Sequence, residues 1–303
     1  MIDIQDVRAA ATRIGSRVRS TPVLQVGPSL WFKLEQTQYA GSFKTRGMIN
    51  QVLAAGPLPP AGIVAASGGN AGLAAAYAAR ELGIAATVFV PVTAPPVKVA
   101  KLGKLGAQVT QIGSEYAEAY TAAVEHAAST GALFCHAYDD PHMVAGNGTI
   151  ALELLDQIPS GFDTVLVAVG GGGLIAGMIA ALSPTVKVVA VEPETSSALH
   201  AALAAGTPVD VPVSGVAADS LGARRAGQIA FDLARTFDIP SVLVGNQAII
   251  DARRALWDDY RLAVEHGTAA AYAALTSGAY IPAPNERVVV LICGANTNPA
   301  DLA

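Results

Sequence analysis

TVLVAVGGGGLIAG, Thr164–Gly177, holds an apolar run, four consecutive glycines and a second apolar run. The uncharged stretch continues to Val186 and is long enough to span a bilayer. Gly170, Gly171, Gly172 and Gly173 decide against a span, because four glycines make a poor helix interior and a good tight loop. The stretch therefore reads as a strand (Thr164–Val169), a loop and a helix. A Val-rich strand that enters a glycine turn and leaves as a helix belongs to a parallel sheet covered on both faces.

The same alternation extends in both directions. Leu30–Leu34, Gly62–Ala66, Ala86–Val90 and Gln108–Ile112 precede this unit as strands. Val186–Val191, Val242–Val244 and Arg287–Ile292 follow it. Alanine-rich helices such as Ala71–Leu82 and Glu115–Ser129 separate them, and Asp3 can cap a first helix that buries Ile4, Val7, Ala11, Ile14 and Val18. Turn-forming breaks fall at GPLPP (Gly56–Pro60) and YDDP (Tyr138–Pro141). The class is α/β, with two open, mostly parallel twisted sheets flanked by helices. A small domain over residues 56–141 is expected to be inserted in a large one built from 1–55 and 142–303.

Composition excludes several classes of protein. With 52% hydrophobic and 14% charged residues, the chain is not disordered. A net charge of -5 is unsuited to a phosphate backbone, so no nucleic-acid partner is expected. MIDIQDVRAA has acids and no apolar core, so it is no secretory signal. Cys135 and Cys293 show neither a disulfide framework nor metal spacing; no metal is expected, and a reducing cytoplasm is the simplest home. No membrane partner and no further domain after residue 303 are expected.

Four segments could carry chemistry. Lys44 sits beside Phe43 in GSFKTRG (Gly41–Gly47); burial against apolar groups would lower its pKa, though a lysine at a helix start is more often a surface residue. SGGNAG, Ser67–Gly72, joins a strand to a helix N-terminus, a ready anion site, or else a plain turn capped by Asn70. The glycine quartet is a second such site. It spells G-x-G-x-x-x-G rather than the dinucleotide fingerprint, but Glu192 ends the next strand where a ribose-binding acid would sit, so a nicotinamide oxidoreductase stays open. Cys293 lies at the C-terminal end of an apolar strand, where open α/β sheets place ligands; a small buried hydrophobe is the plainer reading.

Taken in order, the segments resemble the fold type II pyridoxal-phosphate enzymes, in the serine/threonine dehydratase and serine racemase branch. The resemblance runs through TPVL (Thr21–Leu24), WFKLEQTQYAGSFKTRG (Trp31–Gly47), SGGNAG and PVTAPPVK (Pro91–Lys98). It continues through HAYDDPHMVAGNGTIALEL (His136–Leu154), VGGGGLIAG (Val169–Gly177), AVEPE (Ala190–Glu194), VEHGTAAA (Val264–Ala271) and CGAN (Cys293–Asn296). It implies a tryptophan synthase β-like fold, pyridoxal 5'-phosphate as cofactor and a homodimer. It also implies roles. Lys44 would carry the cofactor, Phe43 would border its ring, and Asn70 would bond the ring hydroxyl. Gly170–Gly173 and the amide of Leu174 would hold the phosphate, and Cys293 would face the ring nitrogen. Glu265 would stand near the cofactor. Ser67, Gly68, Gly69, Ala71 and Gly72 would grip the substrate carboxylate, and Tyr138 and Asp139 would lie near the substrate.

The implied reaction is dehydration and deamination of L-threonine and/or L-serine to a 2-oxo acid and ammonia. A racemase and a threo-3-hydroxyaspartate dehydratase are the alternatives within the branch. Two departures bear on the choice. Racemases of this branch carry a second serine where this chain has Gly68, which has no proton to give. Glu192 matches the first carboxylate of a divalent-metal site, but the later acidic position falls at Ala198, so that site is not carried over. Without the regulatory C-terminal domain of biosynthetic threonine dehydratases, feedback by isoleucine is not expected.

Overall fold

The computed structural model describes residues 1–302 as two sheets wrapped by helices. The strands, in chain order, are β1 (Val23–Gly27), β2 (Leu30–Lys33), β3 (Ile63–Ala66), β4 (Ala86–Val90) and β5 (Gln108–Gln111). They continue with β6 (Leu133–Phe134), β7 (Thr164–Ala168), β8 (Lys187–Pro193), β9 (Ser241–Val244) and β10 (Val288–Leu291). The larger sheet runs β1-β2-β10-β7-β8-β9, and the smaller β5-β4-β3-β6. Among the strand pairs of the described residues only β1–β2 is antiparallel. The larger sheet thus takes strands from both ends of the chain, whereas the smaller is one continuous segment.

Every residue of β3, β7 and β10 is buried, which is why these strands, Thr164 apart, read as apolar runs. Two strands were not anticipated. β1 is a half-exposed edge strand whose pairing shifts between Gln25 and Gly27, and β6 has only two residues. The first helix, Ile4–Ile14, is capped by Asp3 as expected, but it stops before Val18 and turns Ala10 inward rather than Ala11. Asn70 is no cap either: it is the first residue of the helix Asn70–Leu82, behind Gly69. Among the described residues no helix is long and apolar enough to cross a membrane.

Two helices, Lys44–Ala54 and Pro141–Gln157, connect the two sheets, and with a third, Gly173–Leu182 of the larger sheet, they touch backbone to backbone. A Cβ on Gly47 would stand 2.6 Å from the Met143 carbonyl oxygen, and one on Gly146 2.7 Å from that of Arg46. The helices Lys44–Ala54 and Pro141–Gln157 therefore pack at their glycines. Gly148 and Gly177 do the same between Pro141–Gln157 and Gly173–Leu182, where a Cβ on Gly177 would meet the Gly148 nitrogen at 2.5 Å. This stack carries Lys44, at the start of the first helix, toward the glycine quartet, at the start of the third.

Beneath the stack lies a buried ion network. Arg46 donates to Glu35 through Nε (2.8 Å) and Nη2 (2.7 Å), and to Glu153 through Nη1 (2.7 Å). Lys33 Nζ takes the other oxygen of Glu153 at 2.6 Å. Charges this deep persist only when paired and hydrogen-bonded.

Candidate active site

A cavity of about 850 Å³ opens where the carboxyl ends of β3, β6 and β7 converge. Lys44, Ser67, Asn70, Tyr138, Gly171 and Glu265 are among its walls, so segments far apart in the chain share one space. Open α/β sheets bind ligands at such carboxyl ends.

The loop before Lys44 is stitched to the end of β10. Phe43 N donates to the Cys293 carbonyl at 3.0 Å, Ala295 N donates to that of Gly41 at 2.9 Å, and Ser42 bridges Gly294. Lys44 is thereby held beside Cys293. Its Nζ lies 5.2 Å from the centroid of the Phe43 ring and donates to the Ala137 carbonyl at 2.5 Å. Loss of water around the ammonium lowers the lysine to about 8, against the opposing pull of Cys293 and Glu265. The surface-lysine reading is set aside by this setting.

Asn70 faces the cavity with both ends of its amide bonded. Nδ2 donates to Glu265 Oε1 at 2.6 Å, and Oδ1 accepts from Asn296 Nδ2 at 2.6 Å. Burial raises Glu265 to about 7, although the Asn70 bond favours its charged form. The carboxylate leaves no room at Gly294, where a Cβ would stand 2.3 Å from Oε1. Cys293 is buried, and its Sγ lies 3.2 Å from Thr268 Oγ1. Desolvation, reinforced by Glu265, pushes the thiol up to about 12, so it is neutral. Thr268 Oγ1 also lies 2.9 Å from the Gly294 carbonyl, to which it can donate.

The glycine quartet is a cradle with no room for side chains. A Cβ on Gly171 would stand 2.4 Å from the Tyr138 ring, one on Gly172 2.4 Å from Ala230 Cβ, and one on Gly173 2.6 Å from the Tyr138 carbonyl. Gly172 also needs its φ of +94°. The helix Gly173–Leu182 begins there with no side-chain cap, so its first amides, Leu174 included, have no acceptor within the helix. Gly170 and Gly171 line the cavity.

Of the turn Ser67–Gly72, Ser67, Gly68, Gly69 and Ala71 line the cavity. Ser67 Oγ accepts from Gly69 N at 3.2 Å. Gly72 is used differently: a Cβ there would stand 1.8 Å from the Ser67 carbonyl oxygen, so it closes the turn.

Two acids are occupied elsewhere. Asp139 accepts from Gln228 N (3.0 Å) and Ile229 N (3.1 Å) and caps the helix Gln228–Thr236, so it is not available to substrate. Glu192 is buried and accepts from Leu199 N (2.8 Å) and His200 N (2.7 Å) at the helix Ala198–Ala205. It cannot also take a ribose, and the nicotinamide reading loses its acid. Among the described residues no three His, Cys, Asp or Glu side chains gather as metal ligands.

Asn296, Thr268, His136 and Arg46 escaped the sequence reading, although all lie in quoted segments. Their signal is polar side chains in otherwise apolar or glycine-rich stretches. Partners of Arg46, Thr268 and Asn296 lie 11 to 226 residues away, beyond any local pattern, whereas His136 bonds the amides two and three residues on.

This donor set fits pyridoxal phosphate: an amine of lowered pKa for an aldehyde, free helix amides for a phosphate, and a neutral thiol at the end of β10. The comparisons agree. Residues 15–294 match the family described as pyridoxal-phosphate dependent enzyme. An L-threonine ammonia-lyase of Thermotoga maritima is 34% identical over 98% of this chain and 76% of its own length. A phenylserine dehydratase of Ralstonia pickettii is 35% identical over 99% of this chain and 95% of its own. Among solved structures, maize serine racemase superposes with a TM-score of 0.91 at 29% identity, covering 99% of this chain and 95% of that one. A threonine deaminase of T.th. gives 0.90 at 34% identity, covering 98% and 99%.

Proposed function

The chain belongs to the pyridoxal-phosphate dependent enzyme family, and from that premise we propose that it dehydrates and deaminates L-threonine and/or L-serine to a 2-oxo acid and ammonia. The observation that carries this reading is the shared cavity: the Lys44 amine and the backbone of Gly170 and Gly171 form walls of one space.

When bound, pyridoxal phosphate supplies the sink for the electron pair left at the substrate Cα. The chain does the rest. The amides of Gly170–Gly173 and Leu174 would hold the phosphate at the uncapped helix start, Phe43 would border the ring, and the bonded pair Asn70 and Glu265 would stand beside it. Cys293 would offer the ring nitrogen a neutral thiol, a weak donor that would not fix a positive charge there. Ser67 and the amides of residues 68–72 receive the substrate carboxylate.

Lys44, lowered to about 8, is neutral often enough near pH 7 to accept the Cα proton. The ammonium so formed can return that proton to the departing β-hydroxyl, which leaves as water. Hydrolysis of the released enamine gives the 2-oxo acid and ammonia. On the far side Gly68 offers no group to reprotonate Cα with the opposite hand, which favours elimination over racemisation. We assign the enzyme to the cytoplasm as a homodimer. Its cleft lies between a small domain, residues 56–141, and a large one, residues 1–55 and 142–303; the smaller sheet falls wholly in the first span.

The test is to supply L-serine, L-threonine and threo-3-hydroxyaspartate and to follow 2-oxo acid against D-isomer. Pyruvate or 2-oxobutyrate is expected to dominate, and borohydride is expected to fix the cofactor to Lys44. Faster formation of D-isomer, or a label on another lysine, overturns the reading.

A further inference from the structure

We propose that His136 is a positioning residue: its unprotonated Nδ1 folds one short turn that holds both the Lys44 amine and the glycine cradle. The proposal rests on the role given to Lys44 above and adds a residue that neither the motifs nor the comparisons single out.

The turn follows β6. Cys135 is anchored in the smaller sheet, its N donating to the Val64 carbonyl at 2.8 Å. His136 Nδ1 then accepts from two successive amides, Tyr138 N at 3.3 Å and Asp139 N at 2.9 Å. These bonds curl the backbone so that the intervening Ala137 carbonyl points away and meets Lys44 Nζ at 2.5 Å. The next residue, Tyr138, lays its ring over Gly171 and its carbonyl over Gly173. One short turn, residues 136–139, thus touches the reacting amine through Ala137 and the phosphate cradle through Tyr138. The ring that curls them is the one side chain contacting both turn amides.

An Nδ1 that accepts two N–H bonds carries no proton, so the imidazole is neutral with its hydrogen on Nε2. Its surroundings support that state. The rings of Tyr138, Tyr120 and Phe134 meet it edge-on at 4.9, 6.3 and 6.4 Å. Burial lowers the pKa; Asp139 and Asp140, on its own turn, pull it up, and Lys44, on the helix packed against it, pushes it down. The balance lies below the ordinary histidine value. Protonation at Nδ1 would set a third N–H against two others. The turn would open, the Ala137 carbonyl would leave Lys44, and Tyr138 would leave Gly171. Activity should therefore fall on the acid side as this ring takes its proton.

Three forms of the full chain separate the possibilities: wild type, His136→Asn and His136→Leu. Asparagine places an acceptor oxygen two bonds from Cβ, where Nδ1 stands, but cannot titrate. Leucine fills the space and accepts nothing. Nitrogen-15 spectra of the cofactor-free wild type should show one of its five histidines as the neutral Nε2–H form, and that signal should vanish in His136→Asn. His136→Leu should weaken binding of pyridoxal phosphate and turnover by about tenfold each, the scale expected when two amides lose their acceptor. His136→Asn should recover most of both; on the acid side it should keep the one-proton limb of Lys44 and lose the steeper fall that His136 adds below it. A His136 ring protonated at Nδ1, or a leucine variant that binds and turns over like wild type, overturns the proposal. If the wild type yields no 2-oxo acid, the dehydratase reading falls alone, because the spectrum and cofactor binding still report on the turn.

Discussion

Asn70 and Glu265, 195 residues apart, meet through an Nδ2–Oε1 bond of 2.6 Å. The bond ties the first residue of a helix on the smaller sheet to the residue preceding the helix His266–Thr276 on the larger one. Asn296 completes the chain of contacts, donating to Asn70 Oδ1 and, at 2.8 Å, to the Ala40 carbonyl. The cavity walls from both sheets are therefore fixed by side-chain bonds before any ligand enters.

That bond makes a prediction about pH. Glu265 holds its proton to about 7 in the folded chain, against 4.5 for a free side chain. Between those values the folded state binds more protons than the unfolded one, so stability falls as pH rises and levels off above 7. The contribution is at most about 3 kcal/mol. Glu265→Gln keeps an acceptor for Asn70 but cannot titrate. Urea unfolding of the cofactor-free chain at pH 5 and pH 8 should show a smaller loss in the variant. Some loss should remain, because buried Glu192 is also raised to about 7. An unchanged loss would place the Glu265 proton elsewhere.

Lys44 should behave in the opposite sense. In the unfolded chain its ammonium persists to 10.5, whereas the folded chain gives up the proton near 8. Below 8 the buried charge is a liability that folding must carry. Lys44→Met should therefore unfold at higher denaturant than wild type at pH 7, without cofactor, while losing all turnover. Reductive methylation of the cofactor-free wild type should modify Lys44 with a midpoint near pH 8. A midpoint near 10.5 would mean the amine is solvated, and the case for it as the base would go with it.

Gly171 tests the cradle. A methyl group there would overlap the Tyr138 ring at 2.4 Å, and the ring must move or the loop must. Gly171→Ala should lose about 1–3 kcal/mol of stability, as overpacked sites do. It should also bind pyridoxal phosphate more weakly. Adding Tyr138→Ala removes the overlap and should restore stability but not affinity, since the ring's cover of the cradle is gone. Thermal midpoints and a cofactor titration separate the two effects.

The strands were legible because burial on both faces leaves few polar residues to interrupt them: β3 and β10 are apolar throughout, and β7 is apolar after Thr164. β1 and β6 were not, since an edge strand with Gln25 and a pair of residues carry too little periodicity. Lys44, the quartet and Ser67–Gly72 were legible as segments because glycines and a reactive side chain mark loops. What the acids do was not. Asp139 and Glu192 look like ligand-binding residues in sequence, yet each caps a helix whose start lies away from it in the chain. Only the packing decides which carboxylate is spent on backbone amides and which, like Glu265, faces the cavity.

Arg46 illustrates the same point and predicts a stability effect. Its guanidinium is clasped by Glu35 and Glu153 in the interior, two residues after Lys44. Arg46→Met would leave Glu35 buried without its cation, which typically costs about 3–5 kcal/mol. Adding Glu35→Gln removes the stranded charge, so the double variant should be more stable than Arg46→Met alone. Urea unfolding of both, and of Glu35→Gln alone, settles whether the network acts as a unit; simple additivity would show that it does not.

Gly68 is where elimination and racemisation part. A Cβ built there would lie 3.5 Å from Val90 Cγ1 and 4.0 Å from Lys98 Cδ, ordinary contacts. Its backbone φ is not in the left-handed region, so serine is sterically allowed. The residue also lines the cavity, so a hydroxyl at 68 would have access to the substrate. If proton return from that side is what the native chain lacks, Gly68→Ser should fold as wild type and form more D-serine per pyruvate from L-serine. A general acid in position contributes about 10²-fold or more, which makes even a partial gain measurable by chiral chromatography. The native chain should show almost no D-isomer under the same conditions. A folded variant with the native product ratio would mean that the hydroxyl does not reach the reacting carbon. The preference for elimination would then have to come from elsewhere, with the neutral Cys293 thiol the next group to alter.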